Sequence, residues 1–530
     1  MSLTSLKFGV FLLALFVVYF GFPKRFRQHQ WAVLLVGSYV FYIFSGWKLA
    51  AFLMISTVST WFGGLVLGRL NAQFKEQVKG AASPEEKKTL KAISTRKKRR
   101  VLLLIVLVNF GILVVLKYSN FAIENLNVLL SKVASPLPTV KFLLPLGISF
   151  YTLQAVGYVI DVYRGKYEAD RNLLQYALFV SYFPQIIQGP ISRHADLAHQ
   201  LYEPHAFDYQ RVTFGLQRSL WGYFKKMVIA DRLAVLTTEL AGNYTQYAGF
   251  TVFLGAVFYT LQIYADFSGG MDVICGISEA LGIKLVENFE RPYFSTSIAE
   301  FWRRWHITLG SWMREYVFYP LAMSKPFGRM AKRLRKPCGP FVAKVLPTSI
   351  ASFIVFILVG LWHGAAWKYI AYGLYQAFFV STGTLFQPIY AKGKALFRVD
   401  EERISWKLFQ MLRTIFAVTI GRYFVHANTL GSALYMFKAT VSKFNPWIFI
   451  DGSLYKLGLS AANFNLLLFA VVILFVVDYI RERGVHIRET IARQGVVFRW
   501  MIYLAAIFSV IILGMYGRGY DASSFIYQNF

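Results

Sequence analysis

Two histidines stand where this chain should least tolerate an ionisable group. His363 closes the apolar run Ile350–Trp362 and is followed by Gly364-Ala365-Ala366-Trp367 before a second apolar run begins. His306 ends the stretch Trp302-Arg303-Arg304-Trp305-His306. That stretch lies inside Asn288–Met323, where aromatic residues alternate with Glu290, Arg291, Glu300, Arg314 and Glu315. An ionisable side chain at membrane depth is costly, which marks such a position as a candidate for function. Histidine ordinarily titrates near neutrality. It can take a proton from a hydroxyl as that hydroxyl attacks an ester or thioester carbonyl, then return it to the leaving group. The chemistry this points to is acyl transfer. No G-x-S-x-G elbow is present, and neither Cys275 nor Cys338 lies in a Cys-His setting. Direct attack by the acceptor hydroxyl is therefore favoured over a covalent acyl-enzyme.

Two other readings stay open at this point. His363 could be a packing residue bonded to a backbone carbonyl at a helix break. Alternatively, His306, His363, Asp266 and Asp272 could form the proton relay of a transporter or flippase. Such carriers often show two related halves, and no internal repeat is found here. The remaining histidines have plainer explanations. His194, His199 and His205 share a polar loop with Asp196, Glu203 and Asp208, but no HExxH pattern or i, i+4 histidine pair occurs, so a solvated loop without metal is expected. His29 sits beside a basic turn, and His426 and His486, near Arg422 and Arg488, are expected at the membrane interface.

The elements that must position the two histidines belong to a chain whose solvent is lipid. Of 530 residues, 56% are hydrophobic and only 16% charged. Apolar runs recur near 8–20, 31–45, 49–69, 101–117, 143–160, 174–190, 212–230, 249–267, 346–362, 366–385, 409–425, 463–479 and 498–514. A membrane span needs about 20 such residues. The prediction is an all-α polytopic protein with about 11–13 transmembrane or re-entrant helices, forming one multi-span domain over 1–530. The 49 Phe, 32 Tyr and 12 Trp supply aromatic belts as well as packing. The first run is read as a retained helix, because Gly21-Phe22-Pro23 leads into Lys24, Arg25 and Arg27 rather than a small-residue cleavage site.

The net charge of +30 is not spread as on a nucleic-acid-binding face; it gathers between apolar runs. Residues 71–100 and 324–344 are read as basic cytoplasmic loops facing anionic headgroups, which places the N-terminus outside. The two cysteines imply no disulfide framework. Residues 288–323 cannot lie against lipid and are predicted to be an interfacial or re-entrant segment. Within it Phe301, Trp302, Trp305, Leu309, Trp312 and Met313 recur at helical spacing from a start near Ser297, with Glu300 placed for a capping box and the indoles placed to stack on guanidinium groups. Gly364 and the alanines predict a helix break, and hence a protein-lined cavity beside His363. A straight helix from Val345 would rise about 27 Å and carry His363 close to the far surface, so a site open to both sides asks for tilt or breakage.

Several motifs occur together in order: Leu144–Tyr151 (LPLGISFY), Asp161–Gly165 (DVYRG), Phe183-Pro184-Gln185 with Gln188-Gly189-Pro190, and Tyr264–Gly269 (YADFSG). Glu287-Asn288-Phe289, Arg291-Pro292-Tyr293, Phe301–His306 and Gly360–Ala365 (GLWHGA) follow. Taken jointly, over most of the chain, this series resembles the membrane-bound O-acyltransferase (MBOAT) family, in its bacterial alginate O-acetyltransferase-like branch, with the D-alanyl-transferring teichoic acid branch as a relative. The resemblance implies a multi-helix fold around a central tunnel in a bacterial inner (plasma) membrane. It also implies a cytoplasmic thioester donor, acetyl-CoA or an acyl-carrier thioester, used as substrate with no bound cofactor. The acceptor would be an extracytoplasmic polysaccharide or a partner acyltransferase, with D-alanyl transfer as the alternative. His363 matches the family's essential histidine and His306 its partner. Asp266, Ser268, Asn288, Trp302, Arg303, Arg304, Trp305 and Trp362 match polar and aromatic positions near the tunnel, with a structural role as the alternative for Asp266. Gln188 and Ile191-Ser192-Arg193 depart from the alginate pattern, so the acceptor polymer stays open.

Overall fold

A computed structural model describes residues 1–131, 135–140 and 142–516 as helices and connecting turns, with one isolated backbone bridge, Phe289 to Trp305. The single domain expected over 1–530 is here a chain that groups into two compact units, and residues 517–530 of that range lie outside the described residues.

The first unit comprises Met1–Leu216 and Ile274–Val286. It contains α1 (Leu6–Phe20), α2 (Trp31–Ile43), α3 (Ala50–Gly80), α4 (Pro84–Leu130), α5 (Ile148–Arg164), α6 (Leu173–Ser181), α7 (Phe183–Gln188), α8 (His194–Tyr202) and the start of α9 (Tyr209–Tyr223). The stretch 71–100, expected as a loop, is almost wholly helical. Lys, Glu and Ala favour the helix, Ser83 Oγ caps it by accepting from the Glu86 N–H at 3.1 Å, and Pro84 occupies the first turn. The two apolar runs are thus continued by charged helical extensions. Within the apolar part α3 and α4 are joined by polar contacts: Ser56 donates to Asn109 Oδ1 at 2.6 Å, and Asn109 Nδ2 donates to Ser59 at 3.1 Å. The run 174–190 is not one span, because Pro184 opens α7 after a break at Tyr182.

The second unit comprises Gln217–Val273 and the chain from Glu287 onward. A π-helical segment, Phe224–Ala230, continues α9. It is followed by α10 (Asp231–Gly242), α11 (Phe250–Leu281), α12 (Ile298–Arg304), α13 (Ile307–Met313), a second π segment Arg314–Phe318, and α14 (Tyr319–Ala322). Then come α15 (Lys325–His363), α16 (Trp367–Leu385), α17 (Gln387–Leu396), α18 (Ile404–His426), α19 (Leu430–Ser442), α20 (Ala461–Glu482), α21 (Ile487–Ala492) and α22 (Val496–Leu513). The second expected loop, 324–344, is also helical. It forms the first part of α15, turned at Gly339 (φ 79°) between Pro337 and Pro340, whose missing N–H groups interrupt the ladder there. The kink lies before Val345, so it does not interrupt the stretch from Val345 to His363, where tilt or breakage was expected.

Among the described residues, six helices are long and apolar enough to cross a membrane: Trp47–Gly80, Pro84–Leu130, Phe250–Leu281, Lys325–His363, Ala461–Glu482 and Val496–Leu513. Leu6–Phe20 and Trp31–Ile43 are shorter apolar helices. The other predicted spans are short, interrupted or charge-bearing helices. The protein is a multi-pass membrane protein.

Candidate active site

The amphipathic helix predicted from Ser297 starts as expected but does not continue. Ser297 Oγ accepts from the Glu300 N–H at 3.1 Å, while Glu300 reaches back to Thr296, whose N–H and hydroxyl both donate to it. The helix stops at Arg304. Trp305 is extended, and His306 takes a left-handed conformation (φ 48°, ψ 51°), unusual for a residue with a Cβ. Asn288 holds this break open. Its backbone carbonyl accepts from the Ile307 N–H at 3.0 Å, and its side-chain Oδ1 accepts from the Thr308 N–H and the Thr308 hydroxyl, each at 3.0 Å. His306 Nδ1 lies 3.3 Å from the same Oδ1. With Oδ1 an acceptor, the imidazole proton sits on Nδ1, and the neutral ring carries its lone pair on Nε2. The Glu290 N–H donates to the Arg304 carbonyl at 2.9 Å and closes the bridge between the two strand-like stretches. Asn288 and His306 are 2% and 1% exposed.

His363 arrives from a different direction. It is the last residue of α15; Gly364 is extended, and α16 begins at Trp367. The predicted break is present, and it is tight: a Cβ on Gly364 would come within 2.2 Å of the Tyr369 ring, and one on Gly360 within 2.3 Å of the Tyr369 carbonyl. Trp362 packs against both histidines. Its ring centroid lies 5.6 Å from that of His306 and 5.1 Å from that of His363, edge-on to both. Phe267 covers the other approach to His306 at 4.9 Å. Tyr372 meets His363 edge-on at 6.4 Å.

Behind these rings lies a group that the sequence reading named only as a neighbour of His426. Arg422 is 2% exposed; its guanidinium lies 4.9 Å from the Trp305 ring centroid and 5.8 Å from that of Tyr372, and it donates to the Tyr372 hydroxyl at 3.1 Å. The indole–guanidinium stacking expected within Trp302–Trp305 is instead made by an arginine from α18. His426 is also buried rather than interfacial, with Nε2 2.9 Å from the Thr237 carbonyl oxygen and its ring stacked on Tyr259. The signal for both was a polar residue in or at the end of the apolar run 409–425, and His426, which closes that run, carries the same signal that singled out His363.

The other predicted site residues divide. Trp302 donates to Gln376 Oε1 at 3.1 Å and packs on Phe356, which places it beside the α16 wall of the site. Arg303 is exposed, and Arg304 is paired with Glu300 at 2.8 Å and Glu482 at 2.9 Å. Asp266 is bound by Lys226 at 2.6 Å, and Ser268 accepts from Lys225 at 2.9 Å. Asp272 is held by Lys225 at 2.7 Å and Arg218 at 2.9 Å. These groups form a buried ionic cluster of their own. The histidines of the polar loop are likewise engaged separately: His194 with Asp170 at 3.2 Å, and His205 with the Gln200 carbonyl oxygen at 2.7 Å. Among the described residues no group of three or more His, Cys, Asp or Glu side chains could hold a metal ion.

Comparison with known proteins bears on this geometry. The model of the MBOAT, membrane-bound O-acyltransferase family matches residues 169–333, which include Asn288 and His306. A protein of Azotobacter vinelandii named "Probable alginate O-acetylase AlgI" is 33% identical over 485 residues, covering 90% of this chain and 84% of its own. The chain belongs to the membrane-bound O-acyltransferase family. It is thus an O-acyltransferase, as the pair of buried histidines suggested. Two more distant members differ in what their names say they act on. The peptidoglycan O-acetyltransferase of Helicobacter pylori is 31% identical over 65% of this chain and 65% of its own. The teichoic acid D-alanyltransferase of Bacillus subtilis is 28% identical over 53% of this chain and 66% of its own.

Proposed function

We propose that this acyltransferase moves an acetyl group from a cytoplasmic thioester, acetyl-CoA or an acyl-carrier thioester, to a hydroxyl of an extracytoplasmic polysaccharide or of a partner transferase. Its place is then the inner membrane of a bacterium. The observation that supports the reading is that two buried imidazoles both pack against Trp362, each at the end of an interrupted helix. In this scheme His363 takes the proton from the acceptor hydroxyl as its oxygen forms a bond to the acyl carbon. The carbon–sulfur bond breaks, and the thiol leaves with the proton returned from the imidazole. His306, held by Asn288, acts as a positioning residue that fixes the Trp362 ring against which His363 packs. The choice of acetyl over D-alanyl is supported by the extent of the match, 90% of the chain to an alginate O-acetylase and 53% to a D-alanyltransferase.

The test is acceptor-dependent thioester cleavage by the purified protein in liposomes, with acetyl-CoA, an acetyl-carrier thioester and a D-alanyl-carrier thioester as donors. An acetyl donor is expected to be used with a glycan acceptor, and His363→Gln is expected to remove at least 100-fold of the rate, about the contribution of a positioned general base. Turnover by His363→Gln equal to wild type at normal protein levels would sink the proposal, and use of the D-alanyl donor alone would replace it with the D-alanyl reading.

A further inference from the structure

We propose that Tyr372 is a further catalytic residue of the acyl transfer: its hydroxyl donates to the acyl carbonyl oxygen as that oxygen takes up charge, with Arg422 and Gln376 as the positioning residues behind it. The inference rests on the reading of His363 as the base. Every residue in it belongs to the second unit. Tyr372 lies near the start of α16, just after the break that follows His363, and it is 2% exposed. Its neighbour Gly373 brings α16 so close to α15 that a Cβ there would run into the Phe356 carbonyl. That approach leaves the Tyr372 ring edge-on to His363 at 6.4 Å. The base must stand about 3 Å from the hydroxyl it deprotonates, and that oxygen about 3–3.5 Å from the acyl carbon it attacks. The acyl carbon is then within roughly 6 Å of the imidazole, the same range as the Tyr372 ring.

The partners of the Tyr372 hydroxyl decide what it has left to give. A phenol has one proton to donate and lone pairs to receive. Arg422 Nη1 donates to the Tyr372 oxygen at 3.1 Å, and a guanidinium offers donors only. Arg422 is held in place by the Trp305 ring at 4.9 Å and by a hydrogen bond with Tyr293. Gln376, one turn further along α16, stands beside the same phenol oxygen. Trp302, whose indole N–H can only donate, fixes Gln376 Oε1 at 3.1 Å, so the amide end of Gln376 is the one left toward Tyr372. Both neighbours of the phenol oxygen are donors. Among the described residues no group accepts from the Tyr372 hydroxyl. A buried donor ordinarily meets an acceptor, and the acyl oxygen of a bound thioester is one. In the transfer, the acceptor oxygen bonds to the acyl carbon while His363 takes its proton, and the carbonyl π pair moves onto the acyl oxygen. Tyr372 donates a hydrogen bond to that oxygen and keeps its own proton. The pair returns as the carbon–sulfur bond breaks, and the thiol leaves with the proton from His363. A donor fixed in advance acts on charge that develops only in the transition state.

Turnover of the full-length protein in liposomes, with Tyr372→Phe measured beside His363→Gln, tests this. Phenylalanine keeps the ring against His363 and removes only the hydroxyl. The kcat of Tyr372→Phe is expected to fall about 10²-fold with the KM for the thioester nearly unchanged, because the interaction strengthens in the transition state. Placing 3-fluorotyrosine at position 372 keeps the ring and its oxygen and makes the hydroxyl a stronger donor. It is expected to raise kcat above wild type, a gain that loss of the Arg422 contact cannot produce, and it decides should Tyr372→Phe fail to fold. With His363→Gln inactive, wild-type kcat in Tyr372→Phe, a change confined to KM, or a fluorotyrosine protein no faster than wild type would each overturn this inference and leave the base in place. Wild-type turnover by His363→Gln would remove the base reading, and this inference with it.

Discussion

Two regions of the second unit abandon the regular α-helix, and they bury polar groups in opposite ways. In the π segment Phe224–Ala230, successive residues Lys225 and Lys226 are both buried. Lys225 meets Asp272 and Ser268, and Lys226 meets Asp266 and Asp231, all within 2.6–2.9 Å. At His306 the chain instead turns left-handed, and the groups held there are an imidazole, a carboxamide and a hydroxyl, none carrying a full charge. A buried charge pair is tied to its geometry, because removing one member strands the other. A neutral imidazole fixed at one nitrogen can still exchange a proton at the other. The difference teaches that the density of charge near α11 marks anchoring, while the groups proposed to react lie in a site without an ion pair of their own.

That contrast can be broken by mutation. The largest effect is expected for His306→Ala, which should lower turnover per folded molecule by about 10²-fold with a smaller loss of stability than breaking the Lys226 ion pairs brings. A large loss of stability with normal turnover would reverse the assignment of the two regions. Lys226→Met should do the opposite. It strands Asp266 and Asp231, costs about 3–5 kcal/mol in the folding equilibrium, and reduces folded yield, while molecules that do fold keep their turnover; denaturation midpoints and active-site-normalised rates separate the two.

Smaller effects sharpen the comparison. Asn288→Ala leaves the Thr308 N–H and hydroxyl and the His306 ring without their shared acceptor, a loss of about 1–3 kcal/mol, and should slow turnover by roughly tenfold to 100-fold, about that energy expressed as a rate. Turnover at the wild-type level would show that the His306 ring is positioned by its packing on Phe267 and Trp362. The smallest effect lies in the first unit, at Asp170. Burial pushes its carboxyl pKa up, but hydrogen bonds from His194 and Tyr202, the nearby His194 and the Asn172 N–H hold it below its ordinary value. The unfolded state then binds the proton more readily. Asp170 contributes stability above the ordinary Asp range, near pH 4, and loses it as pH falls through the folded pKa. The stability difference between wild type and Asp170→Asn should hold from pH 7 to about 5 and shrink below about 4; a difference constant down to pH 3 would refute it.

Much of this was legible in the residues. Apolar runs report transfer into lipid, which is a property of composition, so the membrane class and the long spans could be read directly. The end of α15 at His363 was readable from Gly364, and the start of α12 from Ser297 and Glu300, because caps and breaks depend on neighbours in sequence. The helical extensions at 71–100 and 324–344 were misread, since a run of lysine and arginine looks like a loop when charge is weighed and like a helix when propensity is. The break at His306 was invisible: Trp302, Trp305, Leu309 and Trp312 keep helical spacing through it, and the hydrogen bonds that pay for the left-handed turn come from Asn288, eighteen residues earlier.

The sequence by itself determined the solvent, the helical class and the family, and singled out the two histidines as candidates, because each depends on composition or on short motifs. Only the tertiary structure decided that Trp362 packs against both of those histidines, that Arg422 lies buried against Trp305 and Tyr372, and that Asp266, Ser268 and Asp272 serve Lys225 and Lys226. These are contacts between residues far apart in the chain. Helical periodicity gives the face on which a residue lies, and only the packing of one helix against another settles what that face meets.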